Sequence, residues 1–71
     1  MDIIKGKNYV NCFSGNTVEV TDHYVSYDDT WVVEFKITKR SDGQPIDEAE
    51  NEFRRPHHSF EKCFIMDAVG E

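Results

Sequence analysis

The stretch Trp31-Val32-Val33-Glu34-Phe35-Lys36-Ile37-Thr38 decides the fold of this chain. Its side chains alternate strictly between two faces of an extended backbone. A period of two residues, carried by aromatic and β-branched side chains, predicts a β-strand that is buried on one face. The face expected to point into the core carries Trp31, Val33, Phe35 and Ile37, and the opposite face carries Val32, Glu34, Lys36 and Thr38.

The residues before this strand predict a hairpin and a bulge. Residues 8–13 are rich in β-favouring types, and Ser14-Gly15-Asn16 has the chemistry of a tight turn. Residues 17–21 alternate again, with Val18 and Val20 inward. Asp22-His23 predicts a break or bulge, and residues 24–27 continue the extended chain to a second turn at residues 28–30.

The residues after the central strand predict a polar turn, a loop and a short helix. Residues 41–52 are acidic and favour an exposed loop insert that leads into a short strand at 52–54. Pro56 suits the first turn of a helix, and Phe60, Cys63 and Phe64 then share one helical face. Residues 64–66 are expected to form a last short strand, and both ends (1–7 and 67–71) are expected to be frayed.

These segments predict one all-β domain over residues 1–71, with a single short helical turn near the C-terminus. With 71 residues the core must be small. Four or five short strands cover their apolar face most simply as an SH3-like small barrel or a strongly curled antiparallel sheet. The set expected inside comprises Val10, Cys12, Val18, Val20, Val25, Trp31, Val33, Phe35, Ile37, Phe60 and Phe64.

Composition limits the possible partners and the compartment. The formal net charge is −6, which disfavours direct binding to a nucleic-acid backbone. We find no basic, apolar leader and no long apolar run, so we expect a cytoplasmic protein without a membrane span. In that compartment Cys12 and Cys63 are expected to be reduced thiols, although a disulfide between them would stabilise the fold.

Several motifs together resemble small SH3-like proteins of unknown function that lambdoid phages and prophages encode. The resemblance covers roughly residues 8–66, and residues 41–52 are an insert relative to those proteins. It implies a small barrel and transfers no catalytic residue. The motifs are Tyr9, the turn glycine Gly15, Val18-Glu19-Val20, Trp31-Val32-Val33-Glu34-Phe35, Arg55-Pro56, Phe60 and Phe64.

Candidate chemistry is sparse. His57, His58, Cys63 and Cys12 are potential zinc ligands, but the spacing typical of a zinc knuckle is absent. A cysteine–histidine nucleophile pair would need Cys63 within hydrogen-bond reach of one of these histidines, and their helical spacing disfavours it. The acidic clusters lack the ligand spacing of calcium loops. We therefore expect no metal, no cofactor and no enzymatic activity.

The most favoured function is a non-enzymatic binding module with a protein partner, a host factor if the phage resemblance holds. We predict one aromatic-acidic binding face at Tyr24, Tyr27, Asp28 and Asp29, and a second acidic strip at Glu48, Glu50 and Glu52. Two alternatives remain open: an acidic nucleic-acid mimic that inhibits a host nucleic-acid-binding protein, and a small zinc-stabilised domain. The sequence does not determine the oligomeric state.

Overall fold

The structure, a computed structural model, describes residues 3–66. The strands form where the sequence has alternating or β-favouring residues, and the helix begins directly after Pro56. The elements in chain order are β1 (Asn8–Asn11), β2 (Thr17–Val25), β3 (Trp31–Lys39), a 3-10 turn (Glu48–Glu50), β4 (Phe53–Pro56), α1 (His57–Cys63) and β5 (Phe64–Met66).

The five strands form one antiparallel sheet in the order β4-β3-β2-β1-β5. This confirms the all-β class with one short helix, and it confirms the predicted hairpin of β1 and β2. The sequence predicted a small barrel or an antiparallel sheet, and the structure has the sheet: β4 and β5 are its two edges, and it is not closed. Both edge strands are short, and α1 connects one directly to the other while packing against β3. The helix therefore covers the core between the two edge strands, which do not pair with each other.

The core is a cluster of aromatic rings and valines between the sheet and α1. Phe60, fully buried, is at its centre: its ring stacks on Phe64 at 4.3 Å and meets Tyr9 and Phe35 edge-on, each at 5.4 Å between centroids. Such pairs add to the stabilisation that burial alone gives. The buried apolar residues are Ile3, Tyr9, Val18, Val20, Val33, Phe35, Phe60 and Phe64.

Strand β1 presents the opposite face from the one predicted. Tyr9 is buried, whereas Val10 is half-buried and Cys12 is exposed. The Tyr9 hydroxyl accepts a hydrogen bond from the backbone N–H of Ile4 at 2.9 Å. A polar partner for the hydroxyl lets the large ring enter the core, so apolar character alone was a poor guide to the buried set in this strand.

Trp31 and Val25 lie on the predicted face but outside the core. They are directly opposite one another at the ends of β3 and β2, and they remain 52% and 45% exposed. The expectation that both are core residues is wrong. The hairpin of β2 and β3 extends past the buried cluster, so the indole contacts the edge of the core and keeps half of its surface free.

The described part of the N-terminal segment, residues 3–7, contacts the core. Ile3 is 7% exposed, and the backbone N–H of Gly6 donates to the carbonyl of Val20 at 2.8 Å. The segment thus contributes a buried isoleucine and a backbone hydrogen bond to β2. The expected fraying of residues 67–71 lies outside the described residues.

The acidic insert 41–52 is exposed at its glutamates but anchored at one amide. Asn51 is only 5% exposed. Its Oδ1 accepts from the backbone N–H of Ile37, and its Nδ2 donates to the carbonyl of Ile37, both at 2.7 Å. The pairing of β3 with β4 ends at Phe35. Two positions further along β3, the Asn51 side chain takes over as the hydrogen-bond partner of the Ile37 backbone. The end of the insert is thus hydrogen-bonded to the sheet through the side-chain amide of one residue.

Candidate functional site

An open cleft of about 370 Å³ lies beside Trp31, at the end of the sheet that the core leaves uncovered. It combines residues from β2, β3 and α1 that are far apart in sequence. The half-exposed indole of Trp31 is its largest apolar surface. The residues that line the cleft are His23, Thr30, Trp31, His57 and His58.

A bulge in β2 directs His23 toward this cleft. The register of β2 on β3 shifts between Val20 and Asp22, so one extra residue enters the strand there. As a result Val20 and His23, three positions apart, point to the same face of the sheet, where His23 lies opposite the buried Val33. The sequence predicted this bulge, and counting back from the inward Val25 would have placed His23 on the face of Trp31.

Two histidines and a glutamate form a hydrogen-bonded relay along one side of the cleft. His57 Nε2 lies 2.6 Å from Glu61 Oε1, one turn further along α1, and His57 Nδ1 lies 3.0 Å from His23 Nε2. Each ring nitrogen of His57 thus has a partner, the Glu61 carboxylate at Nε2 and the His23 ring at Nδ1. Which nitrogen donates in the contact between the two rings depends on their tautomers.

Trp31 is placed to report on the His23 side chain. The imidazole of His23 lies against the indole, with 5.0 Å between ring centroids, and the chain contains one tryptophan. We expect a His23→Gln variant to change the fluorescence emission of Trp31, because the ring that packs against the indole is removed. His58→Gln should change the emission less, and equal emission from wild type and His23→Gln would contradict the contact.

The predicted residue Tyr24 lies on the other face of the sheet from the cleft. Its neighbour across the strands is Val32, whose side chain faces away from the core. The Tyr24 hydroxyl donates to Glu34 Oε2 at 2.5 Å. That hydrogen bond to Glu34 raises the pKa of Tyr24, while the Arg54 guanidinium acts in the opposite direction. Tyr24 is therefore part of a polar group on the outer face and does not line the Trp31 cleft.

The other three predicted residues of this face form the turn beside the cleft. Tyr27 is fully exposed, and Asp29 adopts a left-handed conformation with φ of 65°. The Asp28 carboxylate accepts from the hydroxyl of Ser26 and from the backbone N–H of Thr30. Hydrogen bonds from Ser26 and Thr30 lower the pKa of Asp28. The turn thus presents an exposed aromatic ring and two carboxylates next to Thr30 and Trp31.

The predicted acidic strip lies elsewhere, beside the outer face of β3 and β4. Glu48 and Glu52 border a shallow depression that Glu34 and Lys36 also line. Glu48 and Glu50 lie in the 3-10 turn. The side chain of Asp47 caps the start of this turn by accepting a hydrogen bond from the N–H of Ala49 at 3.1 Å. The glutamates are exposed, and the structure does not join them to the turn of Asp28 and Asp29.

The four potential zinc ligands do not converge. His57 faces His23 and Glu61, whereas the backbone N–H of Cys12 donates to the carbonyl of Cys63. Among residues 3–66, no three histidine, cysteine or acidic side chains are grouped in a way that could hold a metal ion.

Comparison of the chain with models of known protein families, with curated proteins and with solved structures found no match. Within residues 3–66, no helix has the length and apolar character needed to cross a membrane.

Proposed function

We propose that this chain is a binding module, and that its cleft beside Trp31 holds an apolar side chain of a protein segment flanked by basic residues. The observation that carries the proposal is the half-exposed Trp31 at an open cleft of about 370 Å³. Specific protein contacts concentrate their free energy in a few aromatic residues that fill or line a pocket. Tyr27 and Val25, both exposed, extend the apolar surface next to Trp31.

The charge around the cleft favours a basic partner. Asp28 and Asp29 lie within three positions of Trp31, in the turn before β3. Among residues 3–66, no lysine or arginine lines the cleft, and the whole chain carries a net charge of −6. Complementary charge accelerates encounter and sets the orientation of a partner. In a segment with lysine or arginine on both sides of an apolar residue, the apolar side chain can pack on the Trp31 indole while the basic side chains pair with the carboxylates of Asp28 and Asp29.

A pair of synthetic peptides tests this proposal. One peptide carries a leucine between lysines and arginines, and the other has glutamates in place of the basic residues. We expect the basic peptide to shift Trp31 fluorescence and the acidic peptide to leave it unchanged. Calorimetry with Trp31→Ala should show affinity for the basic peptide reduced about tenfold or more.

Two matched variants separate the cleft from general surface chemistry. Phe13→Ala removes an aromatic ring that is 84% exposed in the turn between β1 and β2, and it should leave affinity unchanged. Asp29→Asn removes a charge but suits the left-handed backbone, and it should weaken binding more than Glu50→Gln does. Equal affinities for wild type and Trp31→Ala would overturn the proposal.

An acidic nucleic-acid mimic is a second candidate, and one feature of the outer face favours it. Asp22 and Glu34 lie directly opposite one another on β2 and β3, and Glu34 shares a depression with Glu48 and Glu52. Arg54 lies opposite Glu34 on β4 and offsets part of this charge, but the four carboxylates outnumber the cations beside them, so the outer face is acidic. This candidate predicts binding to a basic protein that disappears at high salt and does not depend on Trp31.

The resemblance to phage-encoded SH3-like proteins supports a binding role of this kind. Such an origin would make the partner a host protein, and we propose it on the motifs alone. The five antiparallel strands with a short helix before the last one are compatible with that relationship.

A further inference from the structure

The two cysteines of the chain meet at the end of the β1–β5 ladder. The register pairs Tyr9 with Met66, Val10 with Ile65, and Asn11 with Phe64. One step beyond the last paired residues, this register extrapolates to Cys12 opposite Cys63, and the backbone N–H of Cys12 donates to the carbonyl of Cys63 at 2.7 Å. Cys63 is the last residue of α1, so its carbonyl has no partner within the helix. Cys12 supplies that partner.

This juxtaposition fits the geometry of a disulfide. Residues opposite one another in an antiparallel pair have Cα atoms about 4.5–5.5 Å apart, and disulfides connect Cα atoms roughly 4.4–6.8 Å apart. Both cysteines are free thiols; Cys12 is exposed and Cys63 is partly buried against the core. A reagent in solution therefore has direct access to the Cys12 thiol, and the backbone hydrogen bond holds the residue that carries the second thiol beside it.

We propose that Cys12 and Cys63 form a thiol–disulfide site that reacts with small-molecule disulfides such as oxidised glutathione. The Cys12 thiolate attacks one sulfur of the reagent, forms a mixed disulfide and releases one glutathione thiolate. The Cys63 thiolate then attacks the Cys12 sulfur and releases the second glutathione. The two protein thiols lose two electrons and two protons in total, and the reagent is reduced to two thiols.

The bond would join the two ends of the fold. Cys12 and Cys63 lie 51 positions apart, and cross-links that close long loops restrict the unfolded chain most strongly. The disulfide would connect the residue after β1 to the junction between α1 and β5, the part of the chain that carries the buried rings of Phe60 and Phe64. Because the Trp31 cleft lies on β2, β3 and the start of α1, the site is separate from the proposed binding surface.

Titration with oxidised and reduced glutathione tests the site. We expect the native protein to become a monomer that has lost two hydrogen atoms and retains no glutathione, as measured by intact mass under non-reducing conditions. Its thermal midpoint should rise by about 10–20 °C, and dithiothreitol should reverse the rise. The equilibrium constant for closure should be about a hundredfold higher in the native protein than in urea-unfolded protein, since the fold brings the thiols together.

Single variants complete the test. Cys12→Ser and Cys63→Ser should each retain one glutathione at equilibrium and show no stabilisation on oxidation. Because Cys12 is exposed, Cys12→Ser should fold like wild type, so its thiol stoichiometry can be measured even if Cys63→Ser is less stable. Wild-type protein that retains two glutathiones, forms disulfide-linked dimers, or closes equally well when unfolded would overturn the proposal.

Discussion

Replacing Phe60 by alanine is expected to cost about 3–5 kcal/mol of unfolding free energy. A domain of this size has a total stability on the order of 4–10 kcal/mol, so the variant should lose roughly a third or more of its stability, and it should unfold at 37 °C if the total lies at the lower end. The reason is the position of the ring: Phe60 is fully buried and contacts Tyr9, Phe35 and Phe64. It is also the buried residue of α1, so its loss releases the helix that covers the core.

Urea denaturation followed by circular dichroism measures this effect. Phe60→Leu keeps an apolar side chain in the site and should cost less, about 1–2 kcal/mol, so a value can be obtained even where the alanine variant does not fold. Phe13→Ala serves as the control, because that ring is 84% exposed and its removal should change stability by no more than about 0.5 kcal/mol. Equal midpoints for Phe60→Ala and wild type would contradict the central place of this ring.

Elements governed by local chemistry could be predicted from the sequence. The alternation of Trp31 to Thr38 fixed β3 because a strand exposes successive side chains to opposite faces. The turn with Gly15 formed as expected, and this glycine has a positive φ of 78°. Pro56 followed by Phe60, Cys63 and Phe64 likewise gave α1 within a residue of its predicted start. Each of these signals spans only a few residues.

The closure of the core could not be predicted in the same way. Whether β4 and β5 pair depends on where α1 runs, and that depends on packing among residues distant in the chain. The exposure of Trp31 has the same origin, since alternation assigns a face but does not say how far the covering helix reaches. Tyr9 replaced Val10 as the buried residue of β1 because its hydroxyl found a backbone partner at Ile4.

The candidate site was predictable only in part. The turn at Asp28 and Asp29 follows from local residue types, and in the structure it lies next to Thr30 and Trp31, which line the cleft. The contact of His23 with His57 joins residues 34 positions apart, and neither histidine has a neighbour in sequence that indicates the other. Tyr24 lies opposite Val32 on the outer face, and the sequence does not show that the cleft forms on the other face, because the cleft needs α1 to pack beside β2 and β3.

Asn51→Ala is expected to destabilise the protein by about 2–4 kcal/mol, although the residue lies in an exposed acidic loop. The variant removes two hydrogen bonds and leaves both the N–H and the carbonyl of Ile37 without that partner. Each unsatisfied backbone group in a poorly hydrated place costs about 1–3 kcal/mol. Ile37 itself is partly buried against the core, so water reaches these groups poorly.

The Asn51→Asp variant tests the two hydrogen bonds separately, because it keeps the one that Asn51 accepts and removes the one that it donates. A carboxylate still accepts from the Ile37 N–H, but it cannot donate to the Ile37 carbonyl and places a negative charge beside it. We expect a cost at least as large as that of Asn51→Ala at neutral pH, and a smaller one in acid, where a protonated carboxyl donates again. Urea denaturation at both pH values and hydrogen exchange at the Ile37 amide provide the measurements.

Asn16→Ala is the matched control, since the Asn16 side chain also accepts from a backbone N–H across the fold, that of Ser41 at 2.9 Å, but in an exposed setting. Water replaces that partner, so the control should cost no more than about 1 kcal/mol. Similar costs for the two alanine variants would mean that burial adds nothing to the Asn51 bonds. The acidic insert would then be a loop merely resting on the sheet, with no part in holding β3 and β4 in place.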